Sequence, residues 1–359
     1  MTAPMTAPPA IGRSIVCVSD SGSGEIVVLV LDAHRGVLEV RQRVALGGTI
    51  MPLTPSPDRT RLYVARRSPP LAVVSLAIDA DGQLSPLAEA DLPASMAFLA
   101  TDGSGRWLFS ASYGGDVVAV SRVDAQGIAR AVTQVVPTEP HAHAIHADPS
   151  NRFVVATCLG GDLLRRFAFD ADNAGATTLT DHAEPRLPIE PRGAHRPGPR
   201  HLAFHPNGTL LYVLNELDAS VAVFGFDADS GALDLRQRVD TAPPGLDGEP
   251  WAAEIRIAAN GRHLYTSERR SSTLAAFRID PASGAVTLLG HQPTEAQPRG
   301  FALDPGGRWL VAAGEATGGL RCHAIDPHTG ALGPGGASLA IGSTPSEIEI
   351  IALPGTPEP

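Results

Sequence analysis

The sequence predicts an all-β fold, a seven-bladed β-propeller with four antiparallel strands in each blade. Two short phrases that recur in phase along the chain predict it, together with a high content of Gly and Pro. Of the 359 residues, 37 are Gly and 32 are Pro, well above the usual combined share of about 12%. This content favours many turns between short elements over long helices. Hydrophobic residues make up 43% of the chain, enough for a sizeable core.

The first phrase is a polar turn, often Gly-Arg, followed by an apolar run. Its seven copies are anchored at Arg13, Arg61, Arg106, Arg152, Thr209, Arg262 and Arg308. The second phrase is an apolar residue, an Asp, a short turn with Gly and another apolar residue. Its aspartates are Asp32, Asp79, Asp124, Asp170, Asp227, Asp280 and Asp326. Successive copies lie 45–57 residues apart, and the two longest intervals coincide in both phrases. Repeats of this length that contain four strands are typical of propeller blades.

The fifth repeat displays the four strands most clearly. They are predicted at Arg200–Phe204, Leu210–Leu214, Ser220–Phe226 and Leu233–Val239, with tight turns between them. In every repeat the turn Asp is expected to accept hydrogen bonds from turn amides.

The ends of the chain predict how the ring closes. The first repeat has no room for an inner strand, whereas Pro345–Ile351 reads as an inner strand with no blade after it. We therefore expect the C-terminal strand to complete the first blade, which removes an exposed sheet edge. The predicted organisation is a flexible lead (1–11), one propeller domain (12–354) and a short tail (355–359).

Composition and charge exclude several classes of function. The net charge is −10 and no block of Lys and Arg occurs, which argues against nucleic-acid binding. No apolar stretch approaches the 18 residues of a membrane span. Cys17, Cys158 and Cys322 are far apart and lie in strand-like runs, so buried reduced thiols and a cytoplasmic location are predicted.

The repeat also predicts where polar side chains meet. Nine residues before each anchor an inner strand begins, at Pro52, Ala97, His143, Arg200, Ala253 and Arg299. Seven residues after each anchor the second strand ends, at Asp20, Ser68, Tyr113, Leu159, Glu216, Arg269 and Glu315. Antiparallel pairing brings both sets to one end of the ring, which we call the mouth.

The two long repeats place their extra residues in connections at 180–199 and 240–250, which should overhang the mouth. A small-molecule site is expected there, although many propellers carry only water in a polar channel. The segment 182–197 contains Arg186, Arg192, His195 and Arg196, and it either contacts phosphate or is a solvated loop.

Several phrases make the chain resemble the seven-bladed propeller lactonases, a family that includes bacterial 6-phosphogluconolactonases and is related to carboxymuconate cyclases. The resemblance covers nearly the whole chain after the first ten residues. The matching phrases are 111–115 (ASYGG), 141–143 (HAH), 198–208 (GPRHLAFHPNG), 215–217 (NEL), 251–257 (WAAEIRI), 261–269 (GRHLYTSER) and 293–305 (PTEAQPRGFALDP).

The resemblance implies a hydrolase that opens a sugar lactone, with 6-phosphogluconolactone of the pentose phosphate pathway as the expected substrate. It implies that the chemistry is carried by His143, Arg200, Glu216 and Arg269. The further substrate contacts that it suggests are Arg299, Glu254, His141, Asn215, His201 and Tyr113. The segment 139–146 holds three histidines, and His141 is the nearest rival to His143.

The motifs narrow the mechanism. The sequence has no GxSxG and no HExxH motif, so neither a serine nucleophile nor a zinc site of that type is indicated. His141 and His143 would face the same side of a strand and could meet one ion, but no third ligand is evident. We expect metal-free acid–base hydrolysis without a cofactor, with either His143 or Glu216 as the base and the arginines holding the oxyanion and the anionic group.

Two alternative functions remain open from the sequence. One is a lactonising cyclase acting on a muconate-type dicarboxylate, because arginine binds both carboxylate and phosphate. The other is a propeller that binds a ligand without turnover. The expected partner is a small anionic lactone, and the expected assembly is a monomer or weak homodimer.

Overall fold

A computed structural model of the protein describes residues 14–173 and 177–353. The predicted lead (1–11), the tail (355–359) and the first anchor, Arg13, lie outside these ranges. The described residues form seven four-stranded antiparallel sheets arranged as consecutive blades. This confirms the predicted seven-bladed β-propeller.

The strands follow one another blade by blade. Blade 1 contains β1 (Ser14–Asp20), β2 (Glu25–Asp32) and β3 (Val37–Ala45). Blade 2 contains β4 (Ile50–Pro55), β5 (Arg61–Arg66), β6 (Ala72–Ile78) and β7 (Leu84–Asp91). Blade 3 contains β8 (Phe98–Thr101), β9 (Trp107–Ser112), β10 (Val117–Val123) and β11 (Ala129–Pro137). Blade 4 contains β12 (Ala142–Ala147), β13 (Phe153–Cys158), β14 (Leu163–Phe169) and β15 (Leu179–Pro188).

The remaining blades repeat the same order. Blade 5 contains β16 (Pro199–Phe204), β17 (Leu210–Asn215), β18 (Ser220–Phe226) and β19 (Leu233–Asp240). Blade 6 contains β20 (Ala252–Ile257), β21 (His263–Glu268), β22 (Thr273–Ile279) and β23 (Val286–Pro293). Blade 7 contains β24 (Pro298–Leu303), β25 (Trp309–Gly314), β26 (Gly319–Ala324) and β27 (Leu339–Ala340). The last strand, β28 (Pro345–Ala352), belongs to blade 1.

The ring closes through β28 as the sequence predicts. β28 pairs antiparallel with β1 from Ser14↔Ala352 to Asp20↔Pro345 and forms the innermost strand of the blade. Ile348 and Ile351 are buried in the cores on either side of it. No inner edge of blade 1 is therefore left open for pairing with another chain.

The core is divided among the interfaces between blades. Apolar side chains of neighbouring sheets alternate toward each other, as for Leu214 and Ile255 between blades 5 and 6. Large aromatic side chains on the second strands add hydrogen bonds across the same interfaces. Tyr212 Oη donates to the Gly284 carbonyl oxygen at 2.8 Å, and Trp107 Nε1 donates to that of Ala171 at 2.9 Å. These bonds fix blade 5 to the outer turn of blade 6, and blade 3 to that of blade 4.

The seven repeated aspartates have the predicted structural role. In each outer turn the Asp Oδ1 accepts a backbone N–H two residues later. The acceptors are Asp32, Asp79, Asp124, Asp170, Asp227, Asp280 and Asp326. The three cysteines are buried and unpaired, also as predicted.

The prediction of a long loop at 180–199 is partly wrong. The outer strand β15 runs from Leu179 to Pro188, so the first half of the segment 180–199 is strand. It pairs with β14 across a register shift between Arg165 and Phe167. The extra residues therefore lengthen a strand and leave only 189–198 as the connection to blade 5.

Candidate active site

β-Bulges at the start of the inner strands aim the polar side chains into the mouth. In blades 4, 5 and 7 the register shifts between Ala142 and Ala144, between Pro199 and His201, and between Pro298 and Gly300. The residues inside these shifts are His143, Arg200 and Arg299. A bulge redirects its side chain relative to the regular pleat. The three polar residues, which the repeat spacing selects, thus occupy the same position in their blades.

Glu216 lies between two buried arginines. Its Oε2 is 2.9 Å from Arg200 Nε and 2.9 Å from Arg269 Nη2. The side chains of Arg200 and Arg269 are 0% and 2% exposed, whereas that of Glu216 is 15% exposed. Among the described residues no hydrogen-bond donor reaches Glu216 Oε1. The carboxylate is thus fixed through one oxygen while the other is available at the mouth.

Arg200 keeps hydrogen-bonding capacity that the protein does not use. Its Nη1 donates to the Ala253 carbonyl oxygen. Its Nε, although close to Glu216, is not directed at it, and among the described residues neither Nε nor Nη2 finds a hydrogen-bond acceptor. Unsatisfied buried donors on a charged group are costly, and such donors point to a ligand.

Arg269 is held more completely. Its Nε and Nη2 donate to the carbonyl oxygens of Trp251 and Ala252, both at 3.2 Å. Its guanidinium also lies over the Trp251 ring, 3.9 Å from the centroid, a favourable cation–π contact. Burial and the nearby Arg200 lower the pKa of Arg269.

His201 and Glu254 lie beneath Arg200. His201 Nε2 is 3.1 Å from Arg200 Nη1, and its Nδ1 is 3.0 Å from Glu254 Oε1. Their side chains are only 2% and 4% exposed. Burial and the charge of Arg200 hold the pKa of His201 well below its usual range, so the imidazole is neutral. It donates from Nδ1 to Glu254 and accepts from Arg200 at Nε2.

His143 is buried at the mouth beside this chain. Its ring contacts those of His201 and Tyr113 edge-on, with centroids 5.1 Å and 5.9 Å away. Its Nδ1 is buried and has no partner among the described residues. Burial, followed by the charge of Arg200, holds the pKa of His143 well below its usual range. This imidazole is therefore neutral too.

His141 does not share a strand face with His143. It precedes β12 in a left-handed conformation with φ of 62°, and its ring stacks on Tyr113 with centroids 4.2 Å apart. Its Nδ1 is 3.0 Å from the Tyr113 carbonyl oxygen. The strand geometry that would let both histidines meet one ion is therefore absent. Among residues 14–173 and 177–353, no three His, Cys, Asp or Glu side chains form a group able to hold a metal.

Tyr113 and Asn215 occupy different surroundings. Tyr113 is 37% exposed at the mouth, and burial together with the charge of Glu216 raises the pKa of its phenol. Asn215 is fully buried, and its Nδ2 donates to Ser220 Oγ at 2.9 Å across the β17–β18 pair. The structure thus brings Tyr113 to Glu216 and directs the Asn215 amide nitrogen into its own blade.

Four basic residues of the segment 182–197 contact acidic side chains. Arg186 pairs with Glu139, and Arg192 pairs with Asp240. His195 Nδ1 lies 3.0 Å from Glu249 Oε2, and Arg196 Nε lies 2.6 Å from Asp162 Oδ2. These pairs connect the segment to its neighbours in blades 4 and 5 and to the 241–251 connection, so its charges are already engaged.

Two residues near the mouth are missing from the sequence-based set. Glu347 lies on β28, where Pro345-Ser346-Glu347 is in phase with Pro199-Arg200-His201. Because β28 has no repeat anchor after it, the spacing rule does not reach it. Arg67 follows β5 directly, in the position that Glu216 holds after β17, but the rule selects Ser68 instead.

A cavity opens at the end of the channel opposite the mouth. It has a volume of about 540 Å³ and is lined by the far ends of the inner strands and by Phe98, His146, Arg256 and Glu349. His201, Glu254 and Glu347 form its inner wall. These residues therefore separate it from the mouth.

Glu347 makes a testable contribution to stability. Burial and the nearby Glu254 raise the pKa of its carboxyl from 4.5 to about 7. A raised pKa favours folding below pH 4.5, and this contribution is lost as the pH rises through 7. We expect Glu347→Gln, which cannot ionise, to gain on the order of 2 kcal/mol in unfolding free energy relative to wild type between pH 5 and pH 8.

Chemical denaturation of both proteins at the two pH values measures this difference. The exposed Glu184→Gln serves as the matched control and should show no pH-dependent change relative to wild type. An unchanged difference between Glu347→Gln and wild type would contradict the raised pKa.

Comparison with known proteins identifies the family. The family model described as "Lactonase, 7-bladed beta-propeller" matches residues 14–347. The chain belongs to this lactonase family. A 6-phosphogluconolactonase of Pectobacterium carotovorum is 40% identical over 342 residues, which cover 95% of this chain and 99% of the relative. One of Serratia proteamaculans is 37% identical over 343 residues, with the same coverage.

The solved structures agree with the family. The periplasmic gluconolactonase of Pseudomonas aeruginosa superposes with a TM-score of 0.88 at 28% identity, covering 96% of this lactonase and all of that chain. Within the described ranges, this lactonase has no helix with the length and apolar character needed to cross a membrane.

Proposed function

We propose that this lactonase hydrolyses 6-phosphogluconolactone to 6-phosphogluconate without a metal. The names of the relatives from Pectobacterium and Serratia support the substrate. The observation that carries the chemistry is the Arg200–Glu216–Arg269 group, in which a carboxylate with one free oxygen lies between two buried guanidiniums. This group combines a base with oxyanion donors at one point.

In this proposal Glu216 is the general base. A water molecule next to Oε1 gives its proton to the carboxylate as its oxygen attacks the lactone carbonyl carbon. The carbonyl electron pair moves onto its oxygen, where the guanidiniums of Arg200 and Arg269 stabilise the negative charge. The intermediate then collapses, the bond from the carbonyl carbon to the ring oxygen breaks, and that oxygen takes the proton back from Glu216.

The charges favour Glu216 over His143 as the base. When Glu216 takes the proton, its negative charge disappears and the oxyanion forms beside the same two arginines. The net charge around Arg200 and Arg269 is therefore unchanged. Protonation of His143 would add an imidazolium beside Arg200, Arg269 and Arg299, whose charges already hold its pKa down. His143 is better suited to act as a neutral hydrogen-bonding group next to the reacting atoms.

His201 and Glu254 receive a positioning role in place of direct substrate contact. Both are buried behind Arg200, where neutral His201 accepts from Nη1 and leaves Nε and Nη2 for the ligand. The carboxylate of Glu254 fixes the tautomer that makes this possible.

A substrate panel tests the proposed function. Initial hydrolysis rates are measured on 6-phosphogluconolactone, glucono-δ-lactone and a muconolactone carboxylate, with spontaneous hydrolysis subtracted. We expect the highest kcat/KM on 6-phosphogluconolactone. A preference for the muconolactone would assign the site to the cyclase reaction instead, and saturable binding without turnover of any lactone would support a binding propeller.

We also propose that this lactonase acts in the cytoplasm as a monomer or weak homodimer. Three buried thiols without disulfide partners fit a reducing compartment, although the Pseudomonas relative is named periplasmic. Cell fractionation followed by sedimentation of the purified protein tests both points, and recovery from the periplasm or as a stable larger oligomer would contradict them.

A further inference from the structure

The side of the mouth formed by blades 7, 1 and 2 carries two arginines that no carboxylate neutralises fully. Arg299 is 13% exposed, and its closest acid is Glu347, with Nε 3.7 Å from Oε1. Arg299 makes no hydrogen bond to a described residue, and its Nε is among the buried atoms without a partner. A mostly buried guanidinium with unused donors is unusual, because burying such a group without partners is unfavourable.

Arg67 stands on the other side of blade 1. Its Nε donates to Ser95 Oγ at 3.1 Å, and its Nη1 points to Met51 Sδ at 3.0 Å. A thioether is a weak acceptor, and no ion pair with a described acid holds this guanidinium. The preceding Arg66, in contrast, is held by both carboxylate oxygens of Glu89.

The charges on this side of the mouth do not balance. Burial lowers the pKa of Arg67, and the charge of Arg299 lowers it further. The acid that acts on both is Glu347, which lies 3.7 Å from Arg299 and whose charge also reaches Arg67. Burial and the nearby Glu254 raise the pKa of this carboxyl. Two guanidiniums thus face one carboxyl that carries less than a full charge, and this excess of positive charge suits a dianion.

The position of Arg67 in the blade supports a role in binding. Glu216, Arg269 and Tyr113 each follow the second strand of their blade directly, and Arg67 follows β5 in the same way. It therefore opens onto the same mouth as the reacting group in blades 5 and 6. The charge of Arg299 acts on Arg67 and also on Arg200 and Arg269, so Arg299 lies between Arg67 and the reacting group. A ligand that extends from Arg200 and Arg269 past Arg299 would meet Arg67 at its far end.

We propose that Arg67 and Arg299 form the subsite for the anionic group at the far end of the substrate, and that Arg67 selects phosphorylated lactones. The inference rests on the proposed lactonase function and specifies its substrate. Guanidiniums bind phosphate oxygens through paired hydrogen bonds, and the unused donors of Arg299 and Arg67 supply them. A carboxylate would satisfy fewer of these donors, since it offers two oxygens instead of three.

The test compares Arg67→Gln with wild type on two lactones that differ only in the phosphate. Loss of one charged hydrogen-bonding group should lower kcat/KM on 6-phosphogluconolactone about 10- to 100-fold, mostly through KM. The rate on glucono-δ-lactone should stay within about twofold. The matched control Arg106→Gln removes an exposed arginine that pairs with Asp172 and should leave both rates unchanged. Equal losses on both lactones, or no loss on either, would overturn the assignment.

A binding measurement separates this inference from the proposed function. If wild type hydrolyses neither lactone, the proposed function fails, and calorimetry with 6-phosphogluconate, gluconate and glucarate then tests the subsite alone. Tighter binding of 6-phosphogluconate than gluconate that disappears in Arg67→Gln supports it. A preference for glucarate would indicate a carboxylate subsite, and equal binding by wild type and Arg67→Gln would overturn the inference.

Discussion

Replacing Glu216 by Gln is expected to lower kcat for lactone hydrolysis about 10²- to 10⁴-fold, the usual contribution of a general base. Gln keeps the shape of the side chain and stays beside the guanidiniums of Arg200 and Arg269, but it cannot take a proton from water. KM should change little, because the two arginines remain available to the substrate. Background-subtracted initial rates on 6-phosphogluconolactone measure the effect.

The chain offers a matched control for this variant. Glu315 follows the second strand of blade 7, as Glu216 follows that of blade 5, but it has no place in the proposed chemistry. Glu315→Gln should retain at least half of the wild-type kcat. If Glu216→Gln retained as much as Glu315→Gln, Glu216 would not be the base, and His143→Gln would become the decisive variant.

Replacing Arg200 by Met is expected to lower kcat about 10²- to 10³-fold, as the loss of one oxyanion donor does in other acyl-transfer enzymes. Arg200→Lys should recover only a small part of this loss, because an ammonium group supplies the charge without the fixed fork of Nε and Nη2 donors. The exposed Arg152→Gln controls for loss of a surface arginine and should be as active as wild type.

Stability must be measured alongside activity for Arg200→Met. Arg200 is fully buried and neutralises Glu216, so its removal leaves a carboxylate with one partner and also destabilises the fold. Thermal unfolding identifies the temperatures at which Arg200→Met is folded, and its kcat is compared with that of wild type at one of them. A folded Arg200→Met protein with the wild-type kcat would contradict an oxyanion role for this residue.

The fold could be predicted because each level of the sequence repeats. The anchor phrase encodes the second strand, the Asp turn encodes the outer hairpin, and 345–351 encodes the closing strand. All three follow from local rules of turn formation and strand alternation. The segment 180–188 is predicted as a loop because the extra residues of the long repeat are assigned to the connection between blades. The structure uses them instead to lengthen the outer strand β15.

The candidate site could be predicted only in part, because spacing identifies the level of a residue in the blade but not its surroundings. The repeat spacing correctly selects His143, Arg200 and Arg299, which lie at equivalent bulges in three blades. His201 and Glu254 are buried beneath Arg200 and are thereby separated from the mouth. This burial depends on packing between blades, so the sequence of a single repeat does not indicate it.

The omission of Arg67 has a simple geometrical cause. Strand β5 starts at Arg61 itself, whereas β9 and β21 start one residue after their anchors at Arg106 and Arg262. Counting from Arg61 therefore moves the position by one residue, to Ser68. Ser56 and Asp102 begin the equivalent turns between the first and second strands of their blades. Counting from Ser56 as from Asp102, which leads to Tyr113, selects Arg67.

The central claim is that this site opens a sugar lactone using only its own carboxylate and arginines. Its most direct measurement is the hydrolysis rate of 6-phosphogluconolactone by protein purified and assayed in the presence of a strong chelator, with spontaneous hydrolysis subtracted. The account predicts full, saturable activity that added divalent metal does not increase. A chelated protein no faster than the background, or one restored only by a divalent metal, would contradict it.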